Sequence, residues 1–252
     1  MNNNTDKFTD KANNYQSFRP SYPTELINYL YTRVGLSEKN TIADIGSGTG
    51  LFSAPLLQHG STVYAVEPNT DMREAANTHL AQYPRFHSIA ASAEHTGLPS
   101  QSIDFITVAQ AFHWFDQLAF KAECQRLLKP NGKVILIWNG RDFSHPVIQA
   151  EYELRQKYSS KQSKEDPSRF AKDWTAFFTD GICEYKTCRN DQLLSKEAFI
   201  GLTLSRSWAP TEQETSKYQE FTTELTAIFE RYQENQHIIF PHLTQCYVGT
   251  VS

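Results

Sequence analysis

Apolar and polar positions change their period as the chain runs. In the first half, short β-branched runs at Thr41–Ile45, Thr62–Val66, Phe86–Ala90, Ile103–Ala109 and Lys133–Trp138 predict strands. Between them the spacing becomes helical. Met72, Ala75, Ala76, His79 and Leu80 fall on one face of a first helix, and Phe115, Leu118, Ala119, Ala122 and Leu127 on one face of a second. A turn at Pro130–Gly132 separates the second helix from the fifth strand. Alternation of this kind predicts parallel βαβ units, and right-handed crossovers then set helices on both faces of a doubly wound α/β sheet.

The second half is less regular. His145 and Pro146 open a helix that runs to about Tyr158, with proline where its missing N–H costs nothing. Polar residues Ser159–Asp166 read as a surface loop, and an aromatic group follows at Phe170, Trp174, Phe177 and Phe178. A long helix is expected around Glu214–Gln233, with Tyr218, Phe221, Leu225, Ile228, Phe229 and Tyr232 at helical spacing. Two late strands are expected near Cys183–Cys188 and Tyr247–Val251. The aromatic stripes read first as core.

Composition narrows the class. With 252 residues, 39% hydrophobic and 13% aromatic, the chain has far more apolar surface than a disordered one. No apolar run approaches the ~20 residues that cross a bilayer, and the opening MNNNTDKFTD has no signal-peptide pattern. Cys124, Cys183, Cys188 and Cys246 form neither a disulfide framework nor a CxxC pair, so a reduced, cytoplasmic setting is expected. A net charge of −4 argues against nucleic acid as the main partner. The histidines lack metal-ligand spacing, and no metal is expected.

Candidate chemistry begins at Asp44-Ile45-Gly46-Ser47-Gly48-Thr49-Gly50, which closes the first strand and opens a helix. Glycines there let backbone approach a ligand, and a helix start favours a negative group. Glu67, about 20 residues on, ends the second strand where a carboxylate can take both hydroxyls of an adenosine ribose. Two details choose among nucleoside cofactors. The dinucleotide fingerprint needs a third glycine where Leu51 stands. Asp44 would repel a pyrophosphate, at about 1–4 kcal/mol for like charges some 4 Å apart. S-adenosylmethionine, with its ammonium, sulfonium and single carboxylate, suits the loop better, and Asp44 can address the ammonium.

The same string resembles the first motif of class I S-adenosylmethionine-dependent methyltransferases. Val63–Asn69 resembles the second motif, and Leu127–Lys133 the loop before the fifth strand. Ala91-Ser92-Ala93-Glu94-His95 and Ala109–Phe115 are similar to a small-molecule subgroup (methyltransferase type 11) that includes trans-aconitate methyltransferase-like enzymes. Phe8, Tyr15, Arg19, Pro20, Tyr22 and Pro23 are similar to that subgroup's N-terminal cap.

The resemblance implies one domain over 1–252, with a cap and helix over 1–35 and a cofactor-binding core over 36–140. The remainder, 141–252, would hold a helical insertion that covers the substrate, and the C-terminal strands. The sheet would be Rossmann-like, with seven strands and the last antiparallel. Gly46, Ser47 and Gly48 would line the methionine part of the cofactor; Glu67, followed by Pro68, would hold the ribose. Ala93 and Glu94 would lie at the adenine edge, where Ser92 replaces the Asp of many relatives. Gln110 would face the methionine chain, Arg19 would reach its carboxylate, and Tyr15 would cover the reaction centre. Arg19 as a surface ion pair, and Tyr15 and Tyr22 as staples of the cap, remain the plain alternatives.

His113 is the candidate general base, or else a hydrogen-bonded wall residue between Phe112 and Trp114. Tyr22, Phe112, Trp114 and Trp138 would shape the acceptor pocket, and Arg141 would bind an anionic acceptor unless it is a solvated loop residue. The expected activity is direct displacement of a methyl group onto a small carboxylate or hydroxyl, by a monomer or homodimer without membrane or nucleic-acid partners. A catalytically inactive cofactor-binding module and a nicotinamide-dependent oxidoreductase are the rival readings.

Overall fold

The computed structural model describes residues 21–159, 174–206 and 208–252. Phe8, Tyr15, Arg19, Pro20, Phe170 and most of the Ser159–Asp166 loop lie outside the described residues. The elements are α1 (Thr24–Tyr29, prolonged by a π turn over Leu30–Val34), β1 (Thr41–Ile45), α2 (Ser53–Gln58), β2 (Thr62–Val66), α3 (Thr70–Leu80), β3 (Phe86–Ile89) and β4 (Ile103–Ala109). Then come α4 (Gln117–Leu127), β5 (Leu128–Arg141), α5 (Pro146–Tyr158), β6 (Glu184–Arg189), β7 (Gln192–Ser195), α6 (Lys196–Leu204), α7 (Thr215–Tyr232), β8 (His237–Phe240) and β9 (His242–Gly249). Short 3-10 turns lie at Phe112–Trp114, Thr175–Phe177 and Thr179–Gly181.

The structure separates into two compact units. The first comprises the described parts of Met1–Asn139, Asp173–Cys188 and Thr244–Ser252. Its seven-stranded sheet has the order β3-β2-β1-β4-β5-β9-β6, mostly parallel, with the last strand antiparallel. β1 shows why this strand is central. Ile42, Ala43 and Ile45 are buried on both sides, as in a parallel strand covered by helices, and the run is interrupted only by the buried Asp44. Its register pairs Asp44 with Ala65 of β2 and with Thr107 of β4. Strand order reverses between β1 and β4, so the loops leaving their carboxyl ends diverge and open a crevice.

Local chemistry fixes the helices that flank this crevice. Asn69 caps α3 by accepting the Met72 N–H at 3.0 Å, and Met72, Ala76 and Leu80 bury one stripe at i, i+4 and i+8. Asp116 caps α4 through the N–H groups of Leu118 and Ala119. Here the sequence pattern misleads. The buried face of α4 is Phe120, Glu123, Cys124 and Leu127, whereas Leu118 is 84% exposed. The Pro130–Gly132 turn lies inside β5 as an irregularity, with Asn131 at φ +68° and the β4–β5 register shifting between Ile103 and Phe105.

The second unit comprises the described parts of Gly140–Lys172 and Arg189–Leu243. His145 caps α5, with Pro146 in its first turn. A separate core joins Val147, Ile148 and Leu154 of α5 to Phe221, Leu225 and Phe229 of α7 and to Phe199 of α6. β7 and β8, joined through α6 and α7, pair antiparallel, and β8 places Ile238 and Phe240 in that core. Each such fully buried large apolar side chain contributes about 1.5–3 kcal/mol. Among the described residues no helix is long and apolar enough to cross a membrane.

Candidate functional site

The loop after β1 is held from several sides. Gly46 and Ser47 both donate their N–H groups to the Val66 carbonyl, at 2.8 and 3.1 Å, which ties the loop to the end of β2. The Gly48 N–H donates to Glu67 Oε2 at 3.0 Å, and the Asn69 N–H donates to Glu67 Oε1 at 2.9 Å. The first three N–H groups of the loop are therefore engaged within the protein. Gly46 has φ +68°, and a Cβ there would lie 2.5 Å from the Ala111 Cβ, so the loop after β4 packs directly on bare backbone. Gly48 has φ +56°, yet a Cβ on it would meet nothing within 4 Å. Backbone at Gly48 borders open space.

Two carboxylates sit beneath this loop. Asp44 is fully buried, and it accepts hydrogen bonds from Ser53 Oγ at 2.6 Å and Thr107 Oγ1 at 2.8 Å. Burial pushes its pKa up to about 6, against the pull of those two hydroxyls. Asp44 thus braces β1, the start of α2 and β4 together. Burial also raises the Glu67 pKa, while the Asn69 and Gly48 N–H groups and the Arg73 charge pull the other way. Arg73 donates to the carbonyls of Glu67 and Pro68, both at 3.0 Å, and so fixes the turn after β2. Pro68 itself is exposed.

Across the crevice, Gln110 follows β4 directly at φ +66°, unusual for a residue with a side chain and a mark of a locally strained backbone. Its Nε2 donates to the Asn139 carbonyl at 3.1 Å. Ala93 is buried against the core, and Glu94, in the turn after β3, accepts the Asp116 N–H at 3.0 Å. Glycine loop, Glu67, the Ala93–Glu94 turn and Gln110 therefore all belong to the carboxyl edge of β1, β2, β3 and β4.

A family model described as a methyltransferase domain matches residues 43–136, from within β1 to within β5. An uncharacterized methyltransferase of Mycobacterium tuberculosis is 27% identical over 248 residues, covering 94% of this chain and 93% of that protein. An uncharacterized methyltransferase-like protein of Schizosaccharomyces pombe is 31% identical over 171 residues, 68% of this chain and 64% of that one. Among solved structures, a candidate type II methyltransferase of Anaeromyxobacter dehalogenans superposes with a TM-score of 0.68 at 22% identity, covering 93% of this chain and 99% of that one. The chain is a class I S-adenosylmethionine-dependent methyltransferase. The nicotinamide-dependent oxidoreductase reading is set aside.

In this methyltransferase the rings named from the sequence separate into two groups. Phe112 is fully buried, with its ring against Phe115, Phe120, Trp138, Trp174 and Phe177. Trp138 is buried too and stacks nearly parallel on Trp174, with centroids 4.9 Å apart. Both are core rings behind the loop. His113 is half-buried and Trp114 is 40% exposed, with their rings 4.8 Å apart. Tyr22 sets its ring edge against Phe52 at 4.8 Å.

Arg141 belongs to the second unit, where it pairs with the buried carboxylate of Glu151 and lies over the Phe240 ring. It is neither solvated nor a lone cation. The sequence gives no sign of this partner, ten residues away on α5. His242, nearby, is buried and held neutral, its pKa lowered to about 4 by burial and by the Arg141 and Arg206 charges.

Sequence reasoning named Ser47 but gave Thr49 no role. Ser47 Oγ and Thr49 Oγ1 are buried and meet no hydrogen-bond partner among the described residues. A buried unsatisfied hydroxyl costs about 1–3 kcal/mol. Two of them flank Gly48, whose N–H holds Glu67 and whose backbone borders open space, an arrangement that fits a polar ligand bringing both donors and acceptors.

Proposed function

We propose that this methyltransferase transfers a methyl group from S-adenosylmethionine to a small molecule bearing a carboxylate or hydroxyl oxygen. The observation that carries the cofactor reading is the pair of unpartnered hydroxyls, Ser47 and Thr49, on either side of the Gly48 whose N–H holds Glu67, at the point where strand order reverses. An amino-acid tail presents an ammonium and a carboxylate to such hydroxyls. Each Glu67 oxygen already accepts one N–H and keeps acceptor capacity for a ribose hydroxyl. By the family resemblance, Ala93 meets the adenine, Gln110 the methionine chain, Arg19 the carboxylate, and Tyr15 covers the centre.

The bound cofactor supplies an electrophilic methyl on a positively charged sulfur, whose departure needs no proton. What remains for the protein is alignment and exclusion of water, an effect that supplies about 7–11 kcal/mol in well-oriented systems. The Gly46–Ala111 contact fixes the distance between the loops after β1 and β4. Trp114 and His113, on the second of these, offer an aromatic face and an imidazole. His113 takes the proton if the acceptor is a hydroxyl; a carboxylate acceptor, ionised at neutral pH, needs no base. A net charge of −4 favours a small acceptor over nucleic acid.

The test is transfer of a labelled methyl group to a panel of small carboxylic acids and phenols. Turnover of any member supports the reading. Inactivity across a broad panel, with cofactor binding intact, makes the chain a binding module instead.

A further inference from the structure

The loop that joins β4 to α4, residues 110–116, is pinned at each end and in its middle. At its start Gln110 holds a left-handed backbone, and Ala111 packs on the bare Gly46. In its middle the Phe112 ring is sunk in the core. At its end the Asp116 N–H donates to Glu94 Oε1 at 3.0 Å, while the Asp116 carboxylate caps α4. Between these pins lie His113 and Trp114.

Glu94 belongs to a different part of the site. It sits in the tight turn Ser92–His95, closed by the His95 N–H donating to the Ser92 carbonyl at 3.3 Å and by the His95 ring on the Glu94 carbonyl. Ala93, one residue earlier, is buried against the same core as Phe112. A charge-assisted hydrogen bond therefore connects the turn after β3 to the loop that presents His113 and Trp114.

We propose that Glu94 is a positioning residue for the acceptor side of the site, holding the 112–116 loop by its last N–H, rather than a ligand of the cofactor. This rests on the methyltransferase reading above in one respect: a cofactor that occupies the crevice and orders the turn after β3 would then also order the loop carrying His113.

Amide exchange and calorimetry test it on the full chain, with Glu94→Ala and Glu94→Gln as variants. Gln keeps an acceptor oxygen for the Asp116 N–H; Ala does not. Without ligand, the amides of residues 113–116 should exchange about tenfold faster in Glu94→Ala, as for loss of one charge-assisted hydrogen bond. Glu94→Gln should restore most of that protection, and the amides of β1 and β4 should be unchanged in both. S-adenosylhomocysteine should add protection at 113–116 in wild type and Glu94→Gln but not in Glu94→Ala, which should still bind it within about threefold. Unchanged exchange at 113–116 in Glu94→Ala, faster exchange through the whole unit, or equal loss of S-adenosylhomocysteine affinity in both variants each overturns the proposal. If the wild type fails to bind S-adenosylhomocysteine, the cofactor reading falls, and the ligand-free comparison still decides the role of Glu94.

Discussion

Replacing Glu123 by Gln should weaken the fold in a way that depends on pH. Glu123 is buried on α4 and reaches back to the segment that follows the Ala93–Glu94 turn. Its Oε1 accepts the Thr96 N–H at 3.0 Å and the Thr96 hydroxyl at 2.6 Å, and Arg126 donates to both of its oxygens. Arg126 also donates to the Leu98 carbonyl at 2.8 Å, so the pair staples residues 96–98 to the helix. Burial alone would raise the Glu123 pKa; Arg126 and Thr96 outweigh it and hold the carboxyl down at about 2.

A carboxylate whose pKa is lowered in the folded state stabilises it fully above the ordinary value of 4.5, and loses that contribution as pH falls toward the folded value. The full difference is worth about 3 kcal/mol. Arg126 is 38% exposed on its side chain, and solvent screening brings this nearer to about 2 kcal/mol. Urea denaturation from pH 7 to pH 3 measures it. Glu123→Gln should be less stable than wild type at pH 7, and the gap should close by most of that amount by pH 3. A gap that stays constant over this range would show that the charge contributes nothing, and the reasoning would fail.

Other expectations concern the loop and the second unit. Thr49→Val removes a buried hydroxyl without a partner, so it should leave thermal stability equal or higher while weakening S-adenosylhomocysteine about tenfold; lower stability with unchanged affinity would contradict the role given to Thr49. Gly46→Ala forces a Cβ into 2.5 Å contact with Ala111 at φ +68°, and should cost more than about 1 kcal/mol in stability together with cofactor affinity, both read by thermal shift with and without ligand. Arg141→Ala strands the buried Glu151 carboxylate, and should destabilise the chain by about 3 kcal/mol in denaturant; a change confined to acceptor KM would mean that Arg141 serves the substrate instead. His113→Ala should lower kcat only for acceptors that must lose a proton, so equal rates with a carboxylate and unequal rates with a phenol are expected.

Much of the first unit is legible because local signals and tertiary demands agree there. β1, β2 and β4 fall where the β-branched runs place them, and glycines mark the loop whose backbone must turn left-handed beneath a neighbouring loop. α4 defeats the pattern because its buried face contains a glutamate. Only Thr96 and Arg126, distant or oppositely charged, make that burial tolerable. β9 begins earlier than apolar spacing places it, since His242 and Thr244 are buried polar residues, the latter bonded to the Asn139 side chain. The β7–β8 pair, made by strands far apart in the chain, gives no clean apolar alternation, with Leu193 and Ile239 exposed opposite one another. Site residues divide the same way. Glu67 is at the strand end that the motif implies, whereas Phe112 and Trp138 are core rings and Arg141 is committed to Glu151, contacts that spacing along the chain does not encode.

What the crevice after β1 and β2 holds decides the cofactor of this methyltransferase. Titration calorimetry of the purified chain should find one S-adenosylhomocysteine bound per chain at micromolar affinity, and no heat from NADH or NADPH. Binding of a nicotinamide dinucleotide with none of S-adenosylhomocysteine would contradict it.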